Sequence, residues 1–155
     1  MANNPENLKI QLSEWRRKFD SLDAGYDKIR VRSISLLAVQ FGFSSFVLLS
    51  LSRITNFDLH VIVFFIFGSL LLLVSIILCV VNYVSKAWHS PMYKLEIEKM
   101  NNAKNLAGVY KVLIDDYDEA YHLNLKVHEP SARNLNIAVY LFAASAIIIL
   151  TLMLT

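Results

Sequence analysis

Residues 61–84 read VIVFFIFGSLLLLVSIILCVVNYV, and no charge occurs from Val61 to Ser85. A bilayer core needs about 20 mostly apolar residues in helical form. The stretch is therefore read as a membrane span. Working outward, two further blocks have the same character, roughly Val31–Ser52 and Leu135–Thr155. The first is uncharged from Ser33 to Ser52, the second throughout. Three such blocks in 155 residues are hard to place inside a soluble core. They predict an all-α membrane protein with three transmembrane helices. The first block follows a long polar segment, and no small-residue cleavage site ends a short apolar core, so a secretory leader is not expected.

Composition agrees. The chain is 55% hydrophobic, its mean hydropathy is +0.45 and its net charge is +2. That apolarity excludes a disordered chain. A lone Cys79 excludes an internal disulfide framework. Too few polar residues remain outside the blocks for a large soluble catalytic domain. A nearly neutral balance does not point to nonspecific nucleic-acid binding.

Lys and Arg set the expected orientation. Of the 15, seven lie in residues 1–32 and seven in 85–134, leaving only Arg53 in the link between the first two spans. By the positive-inside rule, the N-terminus and the long loop are cytoplasmic and the C-terminus is outside. The expected organisation is a cytoplasmic amphipathic helix over 1–32, a transmembrane hairpin over 33–84, a cytoplasmic helical segment over 85–134 and a third span over 135–155. The expected location is the inner (plasma) membrane, crossed several times.

The segment before the first span carries Leu8, Leu12, Trp15, Phe19, Leu22, Tyr26 and Ile29. Their spacing alternates four and three, a seam of period 3.5 that packs one helix on another. Asn4 and Pro5 suit an N-cap and first helical position. One long helix is expected to run from there into the first span, with Gly25 as a point of bending. In the later segment, Ser90 and Pro91 suit a helix start. Met100, Ala103, Ala107, Tyr110, Ile114, Tyr117 and Tyr121 form an apolar stripe, with Leu106 and Leu113 beside it. Asn101, Lys104, Asn105, Lys111, Asp115, Asp118, Glu119 and His122 fall on the other face. Pro130 is expected to end this helix and Ser131 to cap the next. The two stripes are expected to pack together. Alternatively, the basic cluster around Trp15 lays the first helix on the membrane surface.

No catalytic pattern emerges, so the chain is read as a non-enzyme without cofactor. His60, His89, His122 and His128 lack metal-ligand spacing. Neither a phosphate-binding loop nor a nucleophile elbow occurs. Asp118 and His122, four residues apart, read as a surface pair. The acidic group at 115–119 reads as a solvated face.

The spans say more. Gly68, Leu72, Ser75, Cys79 and Asn82 share one stripe. Ser33, Gln40 and Ser44 share a face of the first span, and Ser35, Ala38, Gly42 and Ser45 another. Asn136 and the run Ala143–Ala146 mark the third. Small and polar residues hold membrane helices together. The functional alternative is a water-lined path through several subunits, with Ser33, Gln40, Ser44, Ser75 and Asn82 as pore-lining candidates. No charged residue in the spans marks a proton relay or coupled transporter.

Tyr26-Asp27-Lys28-Ile29-Arg30-Val31-Arg32 stands just before the first span, and Tyr110-Lys111-Val112-Leu113-Ile114-Asp115-Asp116-Tyr117 on the later helix. A basic amphipathic helix, a two-span hairpin and a long cytoplasmic helix follow in order over about residues 8–125. This layout resembles the SLATT-type effectors of prokaryotic anti-phage systems and the small membrane effectors of Pycsar-like and Hailong-like operons. The third span departs from it. The resemblance implies a homo-oligomeric channel opened by a nucleotide or oligonucleotide from a partner nucleotidyltransferase, depolarising the infected cell. It fixes no ligand residues. An anionic ligand needs cations beside aromatic surface, which nominates Trp15, Arg16, Arg17 and Lys18, and also Lys104 and Lys111. Three spans enclose no aqueous path, so a pore needs about four or more copies. The rival expectations are a non-conducting adaptor that docks a protein partner and a holin-like or toxin-like permeabilising protein.

Overall fold

The computed structural model describes residues 4–51, 58–84, 88–89, 91, 103 and 105–154. Among the described residues the architecture is all-α, with three helices: α1 (Pro5–Leu51), α2 (Leu59–Tyr83) and α3 (Leu106–Leu154). Each is long and apolar enough to cross a membrane. At ~1.5 Å per residue, α2 is about 37 Å long, more than a hydrocarbon core requires.

The helix starts follow from local chemistry. Asn4 Oδ1 accepts the Glu6 N–H at 3.1 Å, and Pro5 takes the first helical position, where a missing N–H costs nothing. The α1 helix then continues for 47 residues without a break. Asn105 caps α3, its Oδ1 accepting the Gly108 N–H at 2.8 Å. Gly108 is thus a first-turn residue rather than a bend. The expected start at Ser90–Pro91 and the stripe residue Met100 involve Ser90 and residues 92–102, which lie outside the described residues.

The expected stop at Pro130 is corrected: α3 runs 49 residues with Pro130 inside it. A proline removes one intrahelical hydrogen bond. Here buried packing continues on both sides, with Asn124, Ser131, Leu135 and Ala138 all buried. Ser131 therefore sits within a helix, not before one.

The chain divides into two compact units. Unit 1 comprises Met1–Asp27 with Lys86–Pro130, and unit 2 comprises Lys28–Ser85 with Ser131–Thr155. In unit 1 the expected seam is the core: Leu8, Leu12, Phe19, Leu22 and Tyr26 are buried, and Trp15 is half-buried. Phe19 meets Tyr117 edge-on at 5.8 Å, and Trp15 meets Tyr121 at 5.8 Å. The facing stripe is turned by about one position from the expected one. Its buried members are Leu113, Ala120 and Asn124, while Leu106 is exposed and the tyrosines are half-buried. Tyrosine rings bury their bodies and keep their hydroxyls near water.

In unit 2 the seam of α1 continues at the same period through Ile29, Ser33, Gln40 and Val47. The buried residues of α2 are Gly68, Leu72, Ser75, Cys79 and Asn82, the stripe read from sequence.

Candidate functional site

Unit 1 carries an open cleft of about 470 Å³, lined by Arg17, Lys18, Ser21, Leu22, Tyr121 and His128. Small-ligand sites commonly fall in this size range. Two lining residues are cations, and none of the six is a carboxylate. Ser21 adds a hydroxyl, His128 an imidazole and Tyr121 an aromatic wall. The chemistry suits an anion that also carries a flat apolar part.

Helix geometry builds this wall. Arg17, Lys18 and Ser21 follow one another around α1 on the flank of its buried seam. Lys18 Nζ lies 4.4 Å from the Trp15 ring centroid, and Trp15 in turn packs on Tyr121. The cation is therefore held beside aromatic surface, a favourable arrangement. Across the cleft, His128 fits because position 25 is glycine: a Cβ there would stand 3.0 Å from His128 Nε2. Asn124, fully buried, steadies the neighbouring turn of α3. Its Oδ1 accepts the His89 N–H at 2.8 Å, and its Nδ2 donates to the His89 carbonyl at 2.8 Å. Beside it Trp88 stacks on Tyr26 at 4.5 Å.

The sequence candidates separate here. Arg17 and Lys18 line the cleft, with Trp15 beside Lys18. Arg16 turns to Tyr117, its Cζ 5.8 Å from that ring. Lys111 is exposed on α3 and does not line the cleft. Lys104 lies outside the described residues. Asp118 and His122 pair at 3.2 Å, both well exposed, as a surface pair does. Ser21, Tyr121 and His128 were not nominated from sequence as ligand residues. The signal for His128 is its partnership with Gly25, which only the packing reveals.

The polar candidates of the spans meet inside unit 2. Gln40 Nε2 donates to Ser75 Oγ at 2.6 Å, and the Ser75 hydroxyl donates to the Ala138 carbonyl at 2.6 Å. Asn82 Nδ2 donates to the Ser131 carbonyl at 3.0 Å, and the Ser145 hydroxyl to the Gly68 carbonyl at 2.7 Å. These contacts step by seven residues along every helix. The levels are Ser33, Asn82 and Ser131, then Gln40, Ser75 and Ala138, then Val47, Gly68 and Ser145, all buried. Ser44 stands at the edge, its hydroxyl donating to the Gln40 carbonyl at 2.8 Å. The other small-residue face of α1 (Ser35, Ala38, Gly42 and Ser45) is exposed, and a Cβ at Gly42 would meet nothing within 4 Å. No known family, curated protein or solved structure matches this chain.

Proposed function

We propose that the chain is the subunit of a homo-oligomeric membrane channel, opened when an anionic nucleotide or oligonucleotide binds the Arg17–Lys18 cleft. The observation that carries this reading is the continuity of α1. One unbroken helix bears Arg17 and Lys18 in the cleft and Gln40 in the hydrogen-bonded levels of the spans. A ligand that draws on the first part acts on the same helix as the second. The likeness to anti-phage membrane effectors supports the same role: a cytoplasmic signal, loss of membrane potential and arrest of infection. Fourteen of the 15 Lys and Arg residues in the two segments assigned to the cytoplasm support that orientation.

In this reading Gln40, Ser75 and Asn82 hydrogen-bond within each subunit's own bundle and Ser33 is buried at the level of Asn82, so the conducting path runs between chains. The small exposed face of α1 is the natural contact, because small residues let membrane helices approach closely.

The test is the mass of the assembly in nanodiscs by native mass spectrometry, followed by ion flux from liposomes with and without candidate nucleotides. A discrete complex of about four or more chains, with nucleotide-dependent flux, is expected. A monomer that stays a monomer with every nucleotide overturns the channel and leaves the adaptor as the reading to pursue.

A further inference from the structure

Unsatisfied polar atoms in unit 2 concentrate at one level. Ser33 Oγ and Asn82 Oδ1 belong to fully buried residues, and neither atom has a hydrogen-bond partner among the described residues. Asn82 already commits its amide N–H to the Ser131 carbonyl. Register brings Ser33 to the same level. Gln40 bonds Ser75 across antiparallel helices, Ser33 stands seven residues before Gln40, and Asn82 stands seven after Ser75. Nearly one turn earlier on that face of α1, Arg30 Nε is also buried without a partner among the described residues.

We propose that this level binds one ordered water molecule, and that the bundle interior beyond it is dry. The donors and acceptors select water over an ion. Asn82 Oδ1 needs a hydrogen-bond donor, which chloride is not. Arg30 presents an N–H and a positive charge, which a sodium or potassium ion cannot accept. Water takes the Ser33 hydroxyl and the guanidinium N–H and donates to the amide oxygen. Buried waters typically make about three such bonds to groups left unsatisfied by the protein.

The next polar level does not qualify. Ser75 both accepts and donates, which leaves Gln40 Oε1 as its single unpartnered side-chain atom. One partner does not hold a water. Buried Cys79 and Leu135 stand between the two polar levels along α2 and α3, and beyond Gln40 follow buried Leu72 and the half-buried pair Phe43 and Phe142, edge-on at 5.7 Å. The bundle of a single chain is therefore hydrated at one level and sealed beyond it. The water site needs neither a ligand nor a second chain.

Water-edited solid-state NMR of the full-length labelled chain in lipid bilayers tests it. Rapid transfer from water to the Asn82 side-chain amide is expected, with slow transfer to the Gln40 amide. In Ser33→Ala, transfer to Asn82 should fall several-fold while the rest of the spectrum is retained. Slow transfer to Asn82 in the unaltered chain overturns the water site. Transfer to Asn82 that ignores Ser33→Ala overturns Ser33 as its partner. Equally fast transfer to Gln40 overturns the dry interior. The comparison of Asn82 with Gln40 needs no variant to fold.

Discussion

Gly25 and His128 approach so closely that a methyl group at position 25 would press on the imidazole. The built Cβ stands 3.0 Å from Nε2 and 3.7 Å from Cδ2. The obstacle is the far end of a side chain, which can turn aside. Alanine also favours a helix over glycine by roughly 0.5–1 kcal/mol. Gly25→Ala should therefore keep or slightly raise thermal stability while displacing His128 from the cleft. The measurable outcome is a changed His128 NMR signal and weaker binding of a nucleotide, with an unchanged melting temperature or a small rise.

Charge reversal separates the cations of α1. Arg17→Glu and Lys18→Glu alter the cleft wall, whereas Arg16→Glu alters a side chain directed at Tyr117. A hydrogen bond to a charged group contributes about 1.5–3 kcal/mol when well placed, and an open cleft screened by water and salt gives less. Several-fold weaker nucleotide binding is expected from each of the first two, and little change from the third. Titration calorimetry at low and high salt reads this directly, since the loss should shrink as salt rises.

Asn124 is fully buried and serves the backbone of His89 with both ends of its amide. Asn124→Leu removes a donor and an acceptor together and leaves the His89 N–H and C=O without them. Each buried group left unsatisfied costs about 1–3 kcal/mol. A loss on the order of 2–4 kcal/mol is expected where both groups stay buried. Denaturation of the detergent-held protein measures it, and hydrogen exchange at His89 should quicken in step.

Two glycines in the spans should respond oppositely. A Cβ at Gly68 would meet Ile149 Cγ1 at 3.0 Å and Ile148 Cγ2 at 3.3 Å, and the Gly68 carbonyl holds the Ser145 hydroxyl. Gly68→Ala should cost about 1–3 kcal/mol, typical of overpacking. Gly42→Ala should leave the fold intact, because its surroundings are open. If the exposed face of α1 joins subunits, Gly42→Leu reduces assembly without unfolding the chain. Native mass spectrometry and thermal unfolding distinguish the two effects.

Much of this architecture is legible in the residues themselves. The alternation of four and three from Leu8 to Ile29 gives a helix and the face it buries, and α2 buries the five residues its small and polar pattern marks. Spacing specifies a face but not its partner. Ser33, Gln40, Ser75 and Asn82 could therefore be read as lining a space between chains, although in this fold they meet within one. Pro130 misleads for a related reason. Its local penalty is real, and buried packing along α3 outweighs it. Asn124 is not legible as a core residue from sequence, because an amide reads as surface and its partner, the His89 backbone, lies 35 residues away. The cleft was half legible. Arg17 and Lys18 beside Trp15 stand out in sequence, whereas Tyr121 and His128 come from a segment about a hundred residues away and join them only on folding.

The seven-residue step shared by all three helices also restricts how this protein can change length. One residue inserted between Ser33 and Val47 would rotate everything beyond it by about 100° and carry the Gln40 amide or its successors out toward lipid. A single deletion does the same in the opposite sense. Within the spans, seven residues are the shortest gain or loss that returns the buried face to within about 20° of its place. Related chains should therefore differ in length mainly in the polar segments, and not by one or two residues between Ser33 and Val47.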